Sequence, residues 1–270
     1  MTLTANQIDA YERDGYLVQH DALGQEAVEK LLSRTMKFQA QPYPGHVLEK
    51  DGQTYRAFHG CHLYDKTYND LIRAPEFLTP AKQLLKDDVY IHQLKVNVKQ
   101  AFSGEMWPWH QDYIYWRNED NIPTANIVSV MIFLDDIDQF NGPLFFIPGS
   151  HIIGCVDTPK AADAPAGWEG NVSASLTYQI DAPLVTKLVE VGGLFSATGK
   201  KGTAVWFHGN LVHASPPNIS PRNRRIAILT YNAVSNIPVT PPKNLRPEFL
   251  NGRDYRPLVA TNNEQLAVPA

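Results

Sequence analysis

A histidine and an aspartate stand two positions apart in the segment WPWHQDYIYW, which runs from Trp107 to Trp116. Three of the five tryptophans of the chain lie in this segment, so aromatic residues flank the two polar side chains. If the segment is a strand, His110 and Asp112 point to the same face, because alternate side chains of a strand share a face. An imidazole and a carboxylate directed to one point suit a borderline divalent metal such as iron.

The His-x-Asp pair alone is weak evidence for a metal site. With 9 histidines and 28 acidic residues in 270 positions, chance alone gives about one such match, and the chain contains one. An isolated pair of this kind more often belongs to the solvent face of a strand. A second histidine must come from elsewhere, and His208 and His213 in the segment WFHGNLVHAS are the candidates. Two histidines and one carboxylate form the facial triad of non-haem Fe(II) oxygenases, which leaves coordination positions open.

A group of arginines follows the candidate distal histidine. The segment Arg222–Arg225 (RNRR) begins an apolar stretch that is typical of a strand. A cosubstrate with a keto acid at one end can chelate the metal, and its far carboxylate then needs a cation. An arginine on a strand offers two parallel hydrogen bonds to such a carboxylate. His-x-Asp, a distal histidine and a following arginine, in that order, are therefore far more specific than any one of them.

Helical patterns occupy the first part of the chain. Thr4 to Gln7 form a capping box, and Gly15 can end the helix that follows. Thr79 and Pro80 predict the start of a short helix, because a capping residue precedes a proline there. Between these two helices the sequence predicts an amphipathic face formed by Val28, Leu31, Leu32, Thr35 and Met36.

From about residue 87 the pattern changes to the period of two that is typical of strands. In the first strand, one face carries Tyr90, His92, Leu94, Val96 and Val98, and the other carries Ile91, Gln93, Lys95 and Asn97. Further strands are predicted at Ile127–Leu134, Leu144–Ile147, Thr203–His208 and Arg225–Asn232. Strands after a helical first part predict an α+β or β-sandwich protein with helices packed on one side. The polar face of the first strand is either the inner wall of a wet barrel or the solvent face of an edge strand.

The composition excludes several classes of partner. The net charge is −4 and no long basic run is present, so nucleic acid and anionic membranes are poor candidates. The longest apolar runs, such as Val130–Leu134, are far too short to cross a bilayer. No basic segment followed by an apolar one begins the chain, and Cys61 and Cys155 match no CxxC motif. We therefore expect a cytoplasmic protein.

Three segments together resemble one family of enzymes. Trp109–Asp112 (WHQD), Asn141–His151 (NGPLFFIPGSH) and His213–Arg225 are similar to the phytanoyl-CoA dioxygenase family of Fe(II)/2-oxoglutarate oxygenases. Within that family, Tyr90–Asn97 and Gly252–Asp254 most resemble the free leucine hydroxylases, and the ectoine hydroxylases are a more distant match. The resemblance covers nearly the whole chain.

The resemblance implies an α+β fold with a double-stranded β-helix core, a jelly roll of the cupin type, and with N-terminal helices packed on one sheet. We expect a single Fe(II)/2-oxoglutarate dioxygenase domain over residues 1–270. Residues 1–86 would form a mainly helical support, and residues 87–235 the jelly-roll core with a lid insertion at about 157–200. Residues 236–270 would form a C-terminal tail.

Carried over position by position, the resemblance makes His110, Asp112 and His213 the catalytic iron ligands. His208 is then a structural or neighbouring residue, and His151 is expected to be structural too. The carboxylate of Asp112 favours hydroxylation, because related halogenases have a small residue at that position and bind chloride there instead.

The resemblance also assigns the organic ligands of the pocket. Arg224 stands where the family has the arginine that binds the far carboxylate of 2-oxoglutarate, and Ser215 matches a hydroxyl that assists it. Arg222 lies in a turn and Arg225 points to the opposite face, so neither is expected to take this role. Further residues are expected on the cosubstrate side, namely Asn97, Gln93 and Trp107, and on the substrate side, namely Lys95, Trp116, Phe207 and Ile228.

The implied reaction inserts one oxygen atom from O2 into an unactivated C–H bond of a free L-amino acid, with release of succinate and CO2. A leucine-like or lysine-like side chain is expected, in natural-product biosynthesis, and the protein would be a monomer or homodimer. A cationic side chain would need an acid in the lid, where Asp157, Asp163, Glu169, Asp181 and Glu190 are available. The alternatives are a hydroxylase of a larger or ectoine-like intermediate and a jelly-roll binding protein without catalysis.

Overall fold

Eleven strands occur in the described part of the chain, which in this computed structural model comprises residues 2–162 and 164–261. In chain order they are β1 (Tyr16–Gln19), β2 (His46–Leu48), β3 (Tyr55–His59), β4 (Val89–Lys99), β5 (Trp107–His110), β6 (Ile127–Phe133), β7 (Leu144–Phe146), β8 (Phe195–Ala197), β9 (Ala204–His208), β10 (His213–Ser215) and β11 (Arg224–Ala233). The larger sheet has the order β1-β9-β6-β11-β4-β3-β2, and the smaller has the order β5-β10-β7-β8. Every neighbouring pair is antiparallel. Two antiparallel sheets of this kind confirm the predicted jelly-roll core.

Helices cover the outer face of the larger sheet, as predicted. The described helices are α1 (Ala5–Asp14), α2 (Gln25–Ala40), α3 (Cys61–Tyr64), α4 (Lys66–Leu71), α5 (Pro75–Leu85), α6 (Tyr113–Asp120) and α7 (Ala182–Gly192), and the first five form this layer. Leu31 of α2 and Phe77 of α5 join one buried apolar cluster with Leu94, Val130 and Trp206 of the sheet. Burial of an aromatic or aliphatic side chain contributes roughly 1.5–3 kcal/mol, so this layer fixes the sheet from one side. None of the described helices is long and apolar enough to cross a membrane.

The first helix begins and ends where the sequence predicts. Thr4 and Gln7 form the capping box, and Gly15 ends α1 with φ at 79°. The predicted start at Thr79 is wrong, because α5 begins at Pro75 and contains Pro80 in its interior. A proline inside a helix removes one backbone hydrogen bond, but burial of apolar side chains along α5 compensates for it. Met36 was assigned to the apolar face of α2 and is exposed instead.

A β-bulge corrects the two faces predicted for β4. Thr230 of β11 pairs with Gln93, but the next residue, Tyr231, pairs with Ile91, so His92 is an extra residue in β4. An extra residue reverses the alternation of side chains on one side of a bulge. Ile91 therefore lies in the helix-side cluster, opposite to the prediction. The predicted alternation from Gln93 to Val98 is correct, since Leu94, Val96 and Val98 join the helix-side cluster and Gln93, Lys95 and Asn97 line the interior pocket.

A second apolar cluster fills the space between the two sheets, next to that pocket. It contains Met131 and Phe133 of β6, Phe146 of β7 and Phe207 of β9. Tyr16 packs against it and stacks on Phe195 with ring centroids 4.5 Å apart. The pocket is thus bounded on one side by close-packed rings, which exclude water from that part of the barrel.

Candidate active site

Three buried side chains converge where β5, α6 and β10 meet. His110 is the last residue of β5 and pairs directly with His213, the first residue of β10. Their rings lie 4.2 Å apart, and the Nε2 atom of His110 is 3.7 Å from Oδ1 of Asp112. The ligand atoms that His110, Asp112 and His213 offer all lie within 4.8 Å of one another. This spacing fits a single metal ion with three ligands on one side.

Asp112 reaches this point by a route that the sequence did not predict. It is the N-cap of α6, and its backbone has helical angles with φ −70° and ψ −36°. The prediction that His110 and Asp112 lie two apart in one strand is therefore wrong, because β5 ends at His110. The turn from strand to helix brings the carboxylate back beside the imidazole.

One ring nitrogen of each imidazole forms a hydrogen bond with the backbone. Nδ1 of His110 is 2.7 Å from the carbonyl oxygen of Pro108, and Nδ1 of His213 is 2.8 Å from that of Leu211. A carbonyl oxygen can only accept, so each Nδ1 carries the proton and donates it. The lone pair of each neutral ring is then on Nε2, as a metal ligand requires.

Burial and nearby charge hold Asp112 and His213 in their coordinating protonation states. Burial lowers the pKa of His213 to about 3, so its ring is neutral. Burial alone would raise the pKa of Asp112, but the charge of Lys95 opposes burial, and this pKa lies below its usual range. Metal ligands must be deprotonated, so a carboxylate and neutral imidazoles fit a divalent cation such as Fe(II).

Arg224 is the first residue of β11 and is completely buried. Its Nε donates to the carbonyl oxygen of Gly142 at 3.0 Å, and its Nη2 donates to Oγ of Ser215 at 3.1 Å. Its Nη1 is buried without a hydrogen-bond partner. Burial lowers the pKa of Arg224 to about 9, and the positive charge of Arg56 adds to this shift. A buried cationic donor without a partner is costly, and a carboxylate in the pocket would satisfy it.

One pocket contains the triad and Arg224 together. It encloses about 680 Å³ of empty space, open solvent at its mouth included. Its walls bring together all the sequence-predicted site residues except Ser215, which lies behind the guanidinium of Arg224. The predicted residues in the walls are Gln93, Lys95, Asn97, Trp107, His110, Asp112, Trp116, Phe207, His213, Arg224 and Ile228.

The other histidines and arginines that the sequence offered lie apart from the triad. The Nδ1 atom of His208 accepts a hydrogen bond from the backbone N–H of Asn210 at 3.0 Å, and its ring faces His151 at 5.2 Å. Arg225 pairs with Asp135 at 2.6 Å, on the opposite face of β11 from Arg224. Arg222 is exposed and pairs with Asp138.

Comparison with known proteins identifies the family. The model of the phytanoyl-CoA dioxygenase (PhyH) family matches residues 11–226, most of the chain. The chain belongs to the phytanoyl-CoA dioxygenase family. This membership confirms the predicted resemblance to the family and the prediction of an Fe(II)/2-oxoglutarate-dependent oxygenase. The buried group of His110, Asp112 and His213 offers ligand atoms that suit an iron ion.

Curated relatives and solved structures of this family match along nearly the full length of the chain. An L-proline trans-4-hydroxylase of Streptomyces griseoviridis is 39% identical over 98% of this chain and 100% of its own length. An ectoine dioxygenase of Bordetella bronchiseptica is 32% identical over 93% of this chain and 83% of its own. The crystal structure of EctD from S. alaskensis with 2-oxoglutarate and 5-hydroxyectoine has a TM-score of 0.84 and 30% identity, covering 98% of this chain and 89% of EctD. The same EctD has also been crystallised with bound Fe, with a TM-score of 0.82.

Two residues that the sequence did not single out bring further polar groups to this oxygenase pocket. His59 of β3 pairs in register with Lys95 of β4, and both its ring nitrogens are buried without a partner. Arg246 comes from the C-terminal tail, and its guanidinium is bound by both carboxylate oxygens of Asp120. Burial, with the charges of Lys95 and Arg246, lowers the pKa of His59 well below its usual value. Their sequence neighbourhoods contain no motif, so only the tertiary structure identifies them.

The predicted lid contributes its middle part to the pocket of this family member. Asn171, Val172 and Leu176 line the pocket, and Leu176 packs with Tyr115 of α6. Farther along, the same insertion forms α7 and then β8, which is a strand of the smaller sheet. The domain boundaries predicted from the sequence stay a prediction.

None of the described acidic residues of the lid that could bind a cationic side chain lines the pocket. Asp157 is exposed and pairs with Arg117, and Asp181 caps α7 through its side chain. Glu169 and Glu190 do not line the pocket, and Asp163 lies outside the described residues. Among the described residues, Asp112 is the only carboxylate that lines the pocket.

Proposed function

We propose that this protein hydroxylates a free, compact L-amino acid in a reaction that depends on Fe(II), 2-oxoglutarate and O2. The observation that carries the proposal is the single buried pocket in which three ligand atoms within 4.8 Å of one another share the walls with the unpartnered Nη1 of Arg224. In this proposal His110, Asp112 and His213 hold the iron, and Arg224, assisted by Ser215, holds the far carboxylate of 2-oxoglutarate. Asn97, Gln93 and Trp107 form the wall on that side.

The charges of the pocket support an anionic end on the substrate. Lys95 is half-buried and has no hydrogen-bond or ion-pair partner among the described residues, and Arg246 lines the same pocket. The α-carboxylate of an amino acid would pair with these cations. The unpartnered ring nitrogens of His59 would serve its amino group as a neutral acceptor.

The apolar walls support a small hydrophobic side chain. Trp116, Phe207 and Ile228 would contact it, and Leu176 of the lid would cover it. A lysine-like side chain is less well supported than a leucine-like one, because Asp112 is the only carboxylate in the described lining and the proposal uses it as a ligand. The relation to an L-proline trans-4-hydroxylase supports a proline ring as strongly as a leucine side chain.

The residues of the chain would control the reaction chiefly by orienting the substrate and cosubstrate and by excluding water from the pocket. Iron with 2-oxoglutarate supplies the oxidising power that breaks an unactivated C–H bond, and succinate and CO2 are released. Arg224 fixes the direction of the cosubstrate, and Lys95 with Arg246 fixes the carbon that faces the triad. The rings and the lid exclude water from the pocket, which limits side reactions.

The relation to ectoine dioxygenases favours one second candidate, a cyclic ectoine-like substrate. Ectoine also combines a carboxylate with a compact ring, so the same cations would bind it. A large carrier-bound intermediate is less well supported, because lid and tail residues both line the pocket.

A substrate panel tests the proposal directly. The purified protein is incubated with Fe(II), 2-oxoglutarate and O2, together with proline, leucine, lysine, citrulline or ectoine, and the products are analysed by mass. We expect a gain of one oxygen atom with proline or leucine, and formation of succinate that depends on that substrate. Oxygen gain with ectoine alone would support the second candidate, and no gain with any of them would contradict the proposed substrate class.

A further inference from the structure

A fully buried arginine lies behind the pocket wall, outside the set of residues assigned to the reaction. Arg56 of β3 pairs with Glu49 at 2.8 Å, and their side chains are 0% and 2% exposed. Glu49 in turn accepts a hydrogen bond from the backbone N–H of Glu105 at 3.1 Å. Replacing a buried ion pair by apolar side chains is often neutral or stabilising, so the stability of the fold does not by itself explain this pair.

The hydrogen bonds of Arg56 join the barrel to the lid. Its Nε donates to the carbonyl oxygen of Val172 at 3.0 Å, and its Nη2 donates to that of Ser173 at 3.4 Å. The same Nη2 donates to the carbonyl oxygen of Met106 at 3.0 Å. Val172 lines the pocket, so one guanidinium sets the distance between this part of the lid and the strand β5.

Arg56 also supports the aromatic wall on the cosubstrate side. Its guanidinium carbon lies 3.6 Å from the centre of the Trp107 ring, well within the distance of about 6 Å at which a cation attracts a ring face. Trp107 lines the pocket and is the first residue of β5, the strand that ends at His110. A planar guanidinium can stack on a ring while it donates in its own plane, which the ammonium of lysine cannot do.

We propose that Arg56 is a positioning residue that holds the lid segment 168–177 closed against Trp107, so that oxidation of the cosubstrate stays coupled to hydroxylation of the substrate. The inference deepens the proposed function and rests on it. Without these bonds the lid opens more often and water enters the pocket. 2-Oxoglutarate is then oxidised to succinate and CO2 without hydroxylation of the substrate, and an added two-electron reductant such as ascorbate, with two protons, converts the remaining oxygen atom of O2 to water.

The experiment compares the double variant E49Q/R56M with the single variant E49Q. Both lack the buried carboxylate, and E49Q keeps the arginine with its bonds to the lid, so the pair isolates the effect of Arg56. In the double variant we expect backbone hydrogen exchange in residues 168–177 to become about tenfold faster, because this segment loses the bonds that close it. We also expect the ratio of succinate to hydroxylated product to rise about threefold, because the pocket is no longer dry. E49Q is expected to lose overall stability, because the guanidinium of Arg56 is left buried beside a neutral partner. Its lid exchange and its coupling should nevertheless stay closer to those of the unmodified protein than in the double variant, because Arg56 keeps its bonds to Val172 and Ser173.

Equal lid exchange and equal coupling in E49Q and E49Q/R56M would overturn the proposal. Should the double variant fail to fold, Arg56→Lys takes its place, since it keeps the charge beside Glu49 but cannot donate to Val172 and Ser173 while it stacks on Trp107. Unchanged exchange in that variant would equally overturn it. Lid exchange needs no substrate, so a failure of the proposed function, seen as no product from the unmodified protein, is distinguishable from a failure of this inference.

Discussion

The two histidines of the triad are oriented by nearby backbone carbonyl groups of their own chain segments. In each case the acceptor lies two residues earlier in the chain, so the orientation of the ring is set locally. Asp112, by contrast, is positioned by the start of α6. The residue types and order of the triad could be predicted from the sequence, because a family motif carries them. The way in which the three side chains come together could not be predicted, because it depends on where β5 ends and α6 begins.

Removal of the proposed carboxylate ligand should weaken metal binding strongly. For Asp112→Ala we expect the affinity for Fe(II) and the turnover to fall on the order of 100-fold or more, because loss of a mere supporting hydrogen bond already costs about 10–100-fold at metal sites. Anaerobic titration with Fe(II) and 2-oxoglutarate, followed by the visible absorption band of the complex, measures the affinity. Asp157→Ala, at an exposed ion pair, is the control, and an Asp112→Ala protein with normal iron affinity would contradict the assignment.

A change at Arg224 should act on the cosubstrate alone. Arg224→Lys keeps the positive charge but cannot form bidentate hydrogen bonds with the far carboxylate of 2-oxoglutarate. A charge-assisted hydrogen bond contributes about 1.5–3 kcal/mol, so we expect the KM for 2-oxoglutarate to rise roughly 10- to 100-fold. The affinity for Fe(II) should not change. Arg222→Lys provides the control, because Arg222 is exposed and pairs with Asp138; the assignment fails if both variants have the same KM.

At the scale of elements, the central strands were predictable and the irregularities between them were not. The alternation of Gln93, Lys95 and Asn97 with apolar residues predicts one wall of the barrel correctly. The extra residue at His92 has no signal in a local pattern, because only its partner strand reveals it. Pro80 inside α5 is a similar case, since burial of the helix outweighs the usual meaning of proline.

His92, the extra residue of the bulge, takes part in a cluster of buried polar side chains that the local sequence pattern does not predict either. Nε2 of His92 lies 3.1 Å from Asp120 at the end of α6, and Asp120 binds Arg246 from the tail. The backbone of the tail pairs with the bulge as well, since the N–H of Gly252 donates to the carbonyl oxygen of His92 at 2.8 Å. Residues from three distant segments thus meet here, and no spacing within one segment could predict them.

Breaking this ion pair should lower both stability and substrate affinity. Asp120→Asn leaves the guanidinium of Arg246 buried beside a neutral partner, and we expect the free energy of unfolding to fall by about 3–5 kcal/mol. Urea denaturation measures it, and the KM for the amino acid should rise as Arg246 shifts. Asp254→Asn breaks an exposed pair with Arg256, so its effect should stay below about 1 kcal/mol. An equal loss in both variants would refute the structural role of Asp120.

The same pair predicts the dependence of stability on pH. Burial alone would raise the pKa of Asp120, but Arg246 and His92 lower it below its ordinary value of 3.8. A carboxyl group whose pKa is lowered in the folded state stabilises the fold above its unfolded pKa and loses this effect as the pH falls below it. We therefore expect the unmodified protein to lose more stability than Asp120→Asn between pH 5 and pH 3 in urea denaturation. Parallel curves for the two proteins would contradict this.

At the scale of the whole molecule, several buried basic side chains gather beside the pocket. Arg56, Lys99 and Arg224 are all buried, and Glu49 is the acid paired with Arg56. Burial lowers the pKa of Lys99 well below its usual value, and the charge of Arg224 adds to this. Its Nζ donates to the carbonyl oxygens of Ser215 and Pro216. The negative charge of an anionic cosubstrate would offset the positive charge of these side chains.

Binding of the cosubstrate should accordingly stabilise the entire fold. With a redox-inert divalent metal and 2-oxoglutarate at about 100 times its Kd, the expected gain is about 2.7 kcal/mol. For a domain of this size this gain corresponds to a rise in Tm of roughly 5 °C, which differential scanning fluorimetry can measure. Glutarate lacks the keto group and cannot chelate the metal, so its shift should be smaller. An equal shift with both compounds would mean that the metal does not take part in binding.

In the proposed function, the residues that bind iron and 2-oxoglutarate lie in one part of the chain, and part of the substrate site lies in the C-terminal tail. The iron ligands and Arg224 all precede the end of β11, whereas Arg246 follows it, and Leu250 accepts a hydrogen bond from the side chain of Gln93. In the proposed function, selection can therefore alter the parts of this stretch outside the pair of Arg246 with Asp120 while the strand pairing of the barrel and its oxidising centre stay intact. New substrate preferences can evolve on an unchanged oxidant, and a library randomised only in this stretch could be searched for them.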